Sequence, residues 1–69
     1  MSIYQIIGAE MKQQRKIIGE TQEQIAEKLF ISAKHYSRLE KGRAYISLDL
    51  LNSFAKLHQL NITHFLKGV

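Results

Sequence analysis

The amino-acid sequence predicts an all-α fold built from five short helices. Apolar residues recur at helical spacing along most of the chain, and no segment keeps the period-two alternation of a half-buried strand for long. Two of the apolar segments stop at a glycine, Gly19 and Gly42. Residues that favour helix N-caps precede the five segments: Ser2, Thr21, Ser32, Ser47 and Asn61.

The first helix is expected from about Ile3 to Ile17 and should end before Gly19. Ser2, with Gln5 three residues later, forms a candidate capping box at its start. Its apolar residues would share one face of the helix: Ile3, Ile7, Met11 and Ile18.

Thr21 with Gln24 repeats the capping-box pattern and predicts a second helix through Leu29. Ser32 predicts a third helix from Ala33 to about Lys41. The inward-facing residues should be Ile25, Ala26 and Leu29 in the second helix, and Tyr36 and Leu39 in the third.

Ser47, with Asp49 in the first turn, predicts a fourth helix, and Asn61 caps one or two final turns. The expected buried residues of the fourth helix are Leu48, Leu51, Phe54 and Ala55; the last segment carries the apolar residues Ile62, Phe65 and Leu66.

The composition restricts the classes of protein. With 69 residues the chain is interpreted as a single domain over residues 1–69. It has no cysteine, which excludes a disulfide framework and a thiolate metal site, and the simplest interpretation is a cytoplasmic protein. No apolar run approaches the roughly 18 to 20 residues of a membrane span, and the N-terminus has no signal-peptide pattern. The net charge of +4 and the pI near 9.6 favour a polyanionic partner.

The spacing of the second and third helices indicates a helix-turn-helix motif over about residues 22–41. Only Phe30, Ile31 and Ser32 separate the two helices, too few to let them lie antiparallel side by side, so they must cross steeply. Such a crossing needs a small side chain where the helices meet, and Ala26 stands at that position.

The sequence resembles the Cro and lambda-repressor-like helix-turn-helix proteins, also called the XRE family. The matching residues are the run TQEQIAEKL at 21–29, Ile31-Ser32, the run SRLEKG at 37–42, Ser47-Leu48, Phe54-Ala55, and the segment from Asn61 to Leu66. The resemblance covers about residues 7–68. It implies a compact five-helix bundle whose third helix enters the major groove of double-stranded DNA.

The chain departs from the family pattern at several positions. Phe30 stands where the turn usually carries glycine, and a left-handed backbone there would cost about 1 kcal/mol. Ile46 replaces a usual proline. Residues that are usually leucine or another apolar type are replaced by Gln14, Glu20 and His58.

The face of the third helix opposite Tyr36 and Leu39 is interpreted as the DNA-reading surface. Arg38 and Lys34 are the candidate base readers, because both can donate to guanine N7 and O6. By resemblance, Gln22 contacts a phosphate, Arg43 and Tyr45 hold flanking phosphates, and Arg15 pairs with Glu40 to tie the first helix to the third. The predicted DNA-binding set is Gln22, Ser32, Ala33, Lys34, His35, Ser37, Arg38, Lys41, Arg43 and Tyr45.

No arrangement of residues points to catalysis. The three histidines have no metal-ligand spacing with nearby carboxylates, no Ser/His/Asp arrangement is present, and no glycine-rich phosphate loop occurs. The chain is therefore expected to be neither an enzyme nor a metal or cofactor protein.

The leading hypothesis is a sequence-specific transcriptional regulator, with repression favoured, that acts as a homodimer on DNA. The apolar C-terminal residues are the candidate dimer interface: Leu57, Leu60, Ile62 and Phe65, with Val69 beside them. One alternative is a DNA-binding antitoxin or phage-type immunity regulator with a protein partner. Another is a helical module that binds protein alone, which the basic face of the third helix disfavours.

Overall fold

A computed structural model describes residues 2–67, and helices account for most of this range. Four α-helices are followed by a 3₁₀ segment, η1: α1 Ile3–Ile18, α2 Gln22–Lys28, α3 Ala33–Glu40, α4 Leu48–Leu57 and η1 Ile62–Leu66. No β-strand occurs between residues 2 and 67. The predicted all-α class is confirmed, and the fifth helix is a 3₁₀ segment.

All five predicted N-cap residues cap their helices. Ser2 Oγ accepts from Gln5 N at 3.2 Å, and Thr21 Oγ1 accepts from Gln24 N at 3.1 Å. In both cases the glutamine side chain returns a bond to the cap backbone, which completes a capping box. Ser32, Ser47 and Asn61 accept single backbone bonds in the same way. The N-terminal boundaries therefore follow directly from short polar side chains.

Each α-helix ends in the same backbone pattern, a Schellman motif with a left-handed residue. This motif spans six residues. The backbone N–H of the sixth residue donates to the carbonyl of the first, and the N–H of the fifth, left-handed residue donates to the carbonyl of the second. The left-handed residues are Gly19 after α1, Phe30 after α2, Gly42 after α3 and Gln59 after α4. Two of the four termini thus use glycine, and two hold a residue with a side chain in this conformation.

The core lies where the inner faces of the helices meet. Phe54 is at its centre: its ring packs edge-on against Phe65, with centroids 5.4 Å apart, and lies parallel to Tyr36 at 6.4 Å. The fully buried large side chains are Tyr36, Phe54, Phe65, Met11, Ile25 and Leu51. Burial of this size stabilises by about 1.5 to 3 kcal/mol per large apolar side chain.

Leu48, which was predicted to be buried, is exposed, and so are two residues of the predicted apolar face of α1. Ile3 and Ile18 are 41% and 51% exposed, and Leu48 is 70% exposed. Ile3 and Ile18 are the end residues of α1, which has 16 residues, whereas α3 beside it has only 8. The ends of α1 therefore extend past the element that covers its middle. Leu48 is the first residue of α4 and precedes the turn that enters the core.

No helix in the part of the chain that the structure describes combines the length and apolar character needed to cross a bilayer.

Candidate nucleic-acid interface

The turn between α2 and α3 sets the crossing of the helix-turn-helix. Ile31 N donates to Ala26 O at 3.0 Å, and Phe30 N donates to Glu27 O at 3.1 Å. Phe30 has φ +60°, which is the left-handed conformation that the usual glycine at this position indicated. Its side chain is 94% exposed. Ala26 is buried near the crossing, as its small size predicts.

Gly8 allows α1 to lie directly against the end of α3. A β-carbon at position 8 would be 2.3 Å from the Leu39 carbonyl oxygen and 2.7 Å from that of Glu40. Glycine within a helix usually costs about 0.5 to 1 kcal/mol relative to alanine. Here it allows the backbones of α1 and α3 to touch, which orients the end of α3.

Arg15 and Glu40 form the ion pair between α1 and α3 that the resemblance implies. Arg15 Nε donates to Glu40 Oε2 at 2.6 Å and Nη2 donates to Oε1 at 3.2 Å, so the guanidinium binds both carboxylate oxygens. Arg15 Nη1 donates to the Glu20 carbonyl at 2.9 Å. The side chains of Arg15 and Glu40 are only 11% and 2% exposed.

Gln22 joins this pair. Its Nε2 donates to Glu40 Oε1 at 2.9 Å, and the residue is half-buried. The resemblance predicted a phosphate contact for Gln22. The structure places one of its amide hydrogens on Glu40, so Gln22 connects α2 to the end of α3.

The network determines the ionisation of its members. Burial alone would raise the pKa of Glu40, but the hydrogen bonds from Arg15 and Gln22, together with the nearby Tyr36 hydroxyl, outweigh burial and hold the pKa below its usual value. The hydrogen bond to Glu40 raises the pKa of Arg15 against the effect of its burial. Burial, followed by the effect of Glu40, raises the pKa of Tyr36, whose hydroxyl is enclosed without a well-aligned partner.

The outer face of α3 and the loop that follows it carry exposed cations. Lys34 and Arg38 are exposed on α3, one turn apart, and Lys41 and Arg43 are exposed after it. Between residues 33 and 45 the only acidic residue is Glu40, which is buried against Arg15. The exposed surface of residues 33–45 is therefore positively charged, because the only acidic residue of this segment is buried.

The other predicted contact residues lie at different depths. Ser32 is exposed, but its hydroxyl accepts from His35 N at 3.0 Å as the N-cap of α3. Ala33, His35 and Ser37 are half-buried, and Ala33 packs against the core. Tyr45 is 71% exposed.

A family model described as a helix-turn-helix domain matches residues 6–64. The chain belongs to this family. Two crystal structures of the clp gene regulator ClgR from Corynebacterium glutamicum resemble the helix-turn-helix domain, each at 27% sequence identity. One gives a TM-score of 0.89 and covers 96% of this chain and 86% of ClgR; the other gives 0.91 and covers 96% and 70%. No curated protein sequence matches significantly. These findings confirm the resemblance to XRE-type domains and make the chain a DNA-binding protein of the transcription-regulator class.

The structure corrects one residue of the predicted dimer interface. Phe65 is 1% exposed and packs on Phe54 inside the helix-turn-helix domain, so its ring has no surface left for a partner. Its position in the 3₁₀ segment η1 turns it inward. Leu57 is 42% exposed, and Leu60 and Ile62 are half-buried. Val69 lies outside the described residues.

Two histidine–carboxylate contacts in the helix-turn-helix domain were not predicted from the sequence. His64 Nε2 is 2.6 Å from Glu10 Oε1 and 3.2 Å from Gln14 Nε2, which joins α1 to η1. His58 Nε2 is 3.6 Å from Glu20 Oε1. Gln14, Glu20 and His58 all depart from the family pattern. These shared departures are the sequence signal that could have indicated polar contacts at these positions. No group of three or more potential metal ligands occurs among residues 2–67.

Proposed function

We propose that the chain is a sequence-specific regulator of transcription, acting as a repressor, that inserts α3 into the major groove of double-stranded DNA as a homodimer. One observation carries the proposal: the exposed residues of α3 and its following loop include four cations, while Glu40 is buried. Phosphate neutralisation by lysine and arginine provides most non-specific DNA affinity. The resemblance to ClgR, a clp gene regulator by its description, supports the same class of function.

Within this surface, Arg38 and Lys34 are assigned to base edges. Both side chains are exposed on α3, and arginine can bind guanine N7 and O6 with two parallel hydrogen bonds. Arg43 and Tyr45, which follow α3, are assigned to flanking phosphates. Gln22 is assigned to a phosphate through the amide hydrogen that does not face Glu40. Ser32, Ala33, His35, Ser37 and Lys41 complete the proposed contact set.

A homodimer would place two recognition helices on half-sites about one helical turn, roughly 34 Å, apart. The apolar surface of Leu57, Leu60 and Ile62 supports this assembly, because Leu57 remains 42% exposed in the single chain. Sedimentation equilibrium of the protein alone, and DNase protection of one or two half-sites, measure the two parts of this proposal separately.

The electrostatic part is tested by titrating labelled duplex DNA with protein at several salt concentrations. For a dimer that contacts on the order of 6 phosphates, log K against log salt should fall with a slope of about −5. The double variant Lys34→Gln/Arg43→Gln should bind more weakly and with a shallower slope. Lys12→Gln/Lys16→Gln removes the same charge from exposed positions on α1 and serves as the control. A flat salt dependence, or equal losses in both double variants, would contradict DNA binding through α3.

The roles of Arg38 and Arg43 are separated with an operator selected from a random pool. Arg38→Ala should lose about 1 to 3 kcal/mol on the operator and lose discrimination at one base position of each half-site. Arg43→Ala should weaken operator and random duplex about equally, because a phosphate contact has no sequence information. If Arg38→Ala loses the same energy on every sequence, Arg38 holds a phosphate, and base reading belongs to Lys34 and Ala33.

A further inference from the structure

The loop after α3, residues 42–47, lies against the first turn of α1. Gly42 has φ +70°, and a β-carbon at this position would be 2.5 Å from Gln5 Cγ and 2.6 Å from Gln5 Cα. These distances are too short for any side chain, so glycine permits both the backbone conformation and the close approach. The start of α1 and the loop therefore share one surface.

Within this loop the side chains alternate between the solvent and the core. Arg43 and Tyr45 are exposed, whereas Ala44 is half-buried and Ile46 is 8% exposed. Burial of Ala44 and Ile46 turns Arg43 and Tyr45 outward together.

Tyr4 of α1 supports the exposed ring of Tyr45. The ring centroids are 5.6 Å apart with an interplanar angle of 58°, within the range of favourable aromatic pairs. Tyr4 is half-buried and packs against the core, whereas Tyr45 is 71% exposed. The half-buried ring thus limits where the exposed ring can lie.

The other side of the loop is tied to α3. Arg43 N donates to Arg38 O at 2.9 Å, and Arg38 Nη2 donates to Arg43 O at 3.3 Å. The loop is therefore held between α3 and the first turn of α1, and the aromatic contact with Tyr4 reaches the side chain of Tyr45.

We propose that Tyr4 is a positioning residue of the DNA interface, which holds Tyr45, and with it Arg43, in place to meet the phosphates beside the bases that α3 contacts. This inference rests on the proposed DNA-binding function. It adds a residue outside the helix-turn-helix motif, 41 positions away in sequence from the residue it supports.

A double-mutant cycle on duplex DNA tests the inference. Tyr4→Ala and Tyr45→Ala should each weaken binding by roughly two- to tenfold, the range expected for one aromatic contact. The double variant should bind no worse than Tyr45→Ala alone, because both changes remove the same contact. Tyr4→Phe keeps the ring and should bind like the unaltered protein. Leu50→Ala, a half-buried residue on α4 that packs against the core, controls for general loss of stability.

A second measurement needs no DNA. Amide hydrogen exchange of Arg43, whose N–H bonds Arg38 O, should be faster in Tyr4→Ala than in Leu50→Ala at equal distance below the melting temperature.

Four results would overturn the inference. If the losses of DNA affinity in Tyr4→Ala and Tyr45→Ala add in the double variant, Tyr4 is only a core residue, although DNA binding stands. The same holds if Leu50→Ala loses as much affinity as Tyr4→Ala. Unchanged Arg43 exchange in Tyr4→Ala would have the same meaning. If the unaltered protein does not bind duplex DNA at low salt, the proposed function fails, and the positioning role fails with it.

Discussion

Two polar contacts meet at the link between α1 and α2, and they differ in how well their charges are satisfied. In one, Arg15, Glu40 and Gln22 join α1, α2 and α3; in the other, Glu20 faces His58, the C-cap residue of α4. The contacts adjoin, because Arg15 Nη1 also donates to the Glu20 carbonyl.

Both carboxylate oxygens of Glu40 are hydrogen-bonded. Oε2 accepts from Arg15 Nε, and Oε1 accepts from both Arg15 Nη2 and Gln22 Nε2, at distances between 2.6 and 3.2 Å. A buried charge costs several kcal/mol of desolvation unless its hydrogen bonds are made in this way. The end of α3 is thereby held in one place, as its proposed role in reading bases requires.

The His58 contact is incomplete. His58 Nδ1 is 2.9 Å from Phe54 O, a pure acceptor, so Nδ1 must carry the proton of that bond. Nε2 is then left buried, 3.6 Å from Glu20 Oε1 and without a hydrogen-bond partner. The Glu20 carboxylate also contacts Lys28, which is about half exposed. The carboxylate at the end of α3 therefore has well-formed hydrogen bonds, whereas the contact beside α4 leaves a buried nitrogen without one.

The largest effect is expected from Glu40→Ala, because it leaves Arg15 buried without its carboxylate. Breaking a largely buried pair from one side costs about 3 to 5 kcal/mol of unfolding free energy. Denaturant unfolding monitored by circular dichroism measures this loss. Glu27→Ala, which removes an exposed acid from α2 outside its first turn, is the matched control and should change stability by less than about 0.5 kcal/mol. An unchanged stability in Glu40→Ala would mean that the two side chains are solvated.

The same pair should give stability a defined pH dependence. The folded pKa of Glu40 is lowered, so its contribution is fully present above the unfolded value near 4.5 and is lost as the pH falls through the folded value. The free energies of unfolding of the unaltered protein and of Glu40→Gln, plotted against pH, should therefore converge below about pH 4.5. Parallel curves down to pH 2 would contradict the coupling.

At the Glu20–His58 contact we expect substitution to stabilise the domain, not to destabilise it. Replacing a buried polar pair by apolar residues of similar volume is often neutral or stabilising by about 1 to 4 kcal/mol. Glu20→Leu/His58→Leu should therefore raise the melting temperature. The Phe54 carbonyl stays satisfied, because the backbone N–H of residue 58 also bonds it. Arg15→Leu/Glu40→Leu is the comparison; a gain there as large as at Glu20 and His58 would remove the distinction between the two contacts.

The sequence predicts these two contacts to different degrees, for a physical reason. Arg15 and Glu40 occupy positions that a known family pattern connects, so their meeting could be expected. Glu20 and His58 are 38 residues apart and depart from that pattern, so only the packing of α4 against the rest of the domain shows that they meet. Phe65 was misplaced for a similar reason: an apolar residue has the same sequence signal whether it faces its own core or a partner.

Helix starts were predicted more accurately than helix ends. N-caps depend on side-chain oxygens that are visible in the sequence, and all five predicted caps are confirmed. The Schellman motifs depend on a left-handed residue, for which glycine is the visible signal. Gly19 and Gly42 have that signal, whereas Gln59 gives none, and Phe30 was suspected only because the family has glycine there.

The smallest expected effect compares the ends of α2 and α4. Phe30 at φ +60° and Gln59 at φ +57° make equivalent backbone bonds: Ile31 N to Ala26 O at 3.0 Å, and Leu60 N to Ala55 O at 2.8 Å. A left-handed residue with a β-carbon costs about 1 to 2 kcal/mol, offset partly by the greater entropy of glycine in the unfolded chain. Phe30→Gly and Gln59→Gly should therefore each stabilise the domain by about 1 kcal/mol, measured by denaturant unfolding. Because the Phe30 side chain is 94% exposed, its removal costs little packing. A destabilised Phe30→Gly would show that the ring makes contacts worth more than the backbone strain, and that the two helix ends are not equivalent.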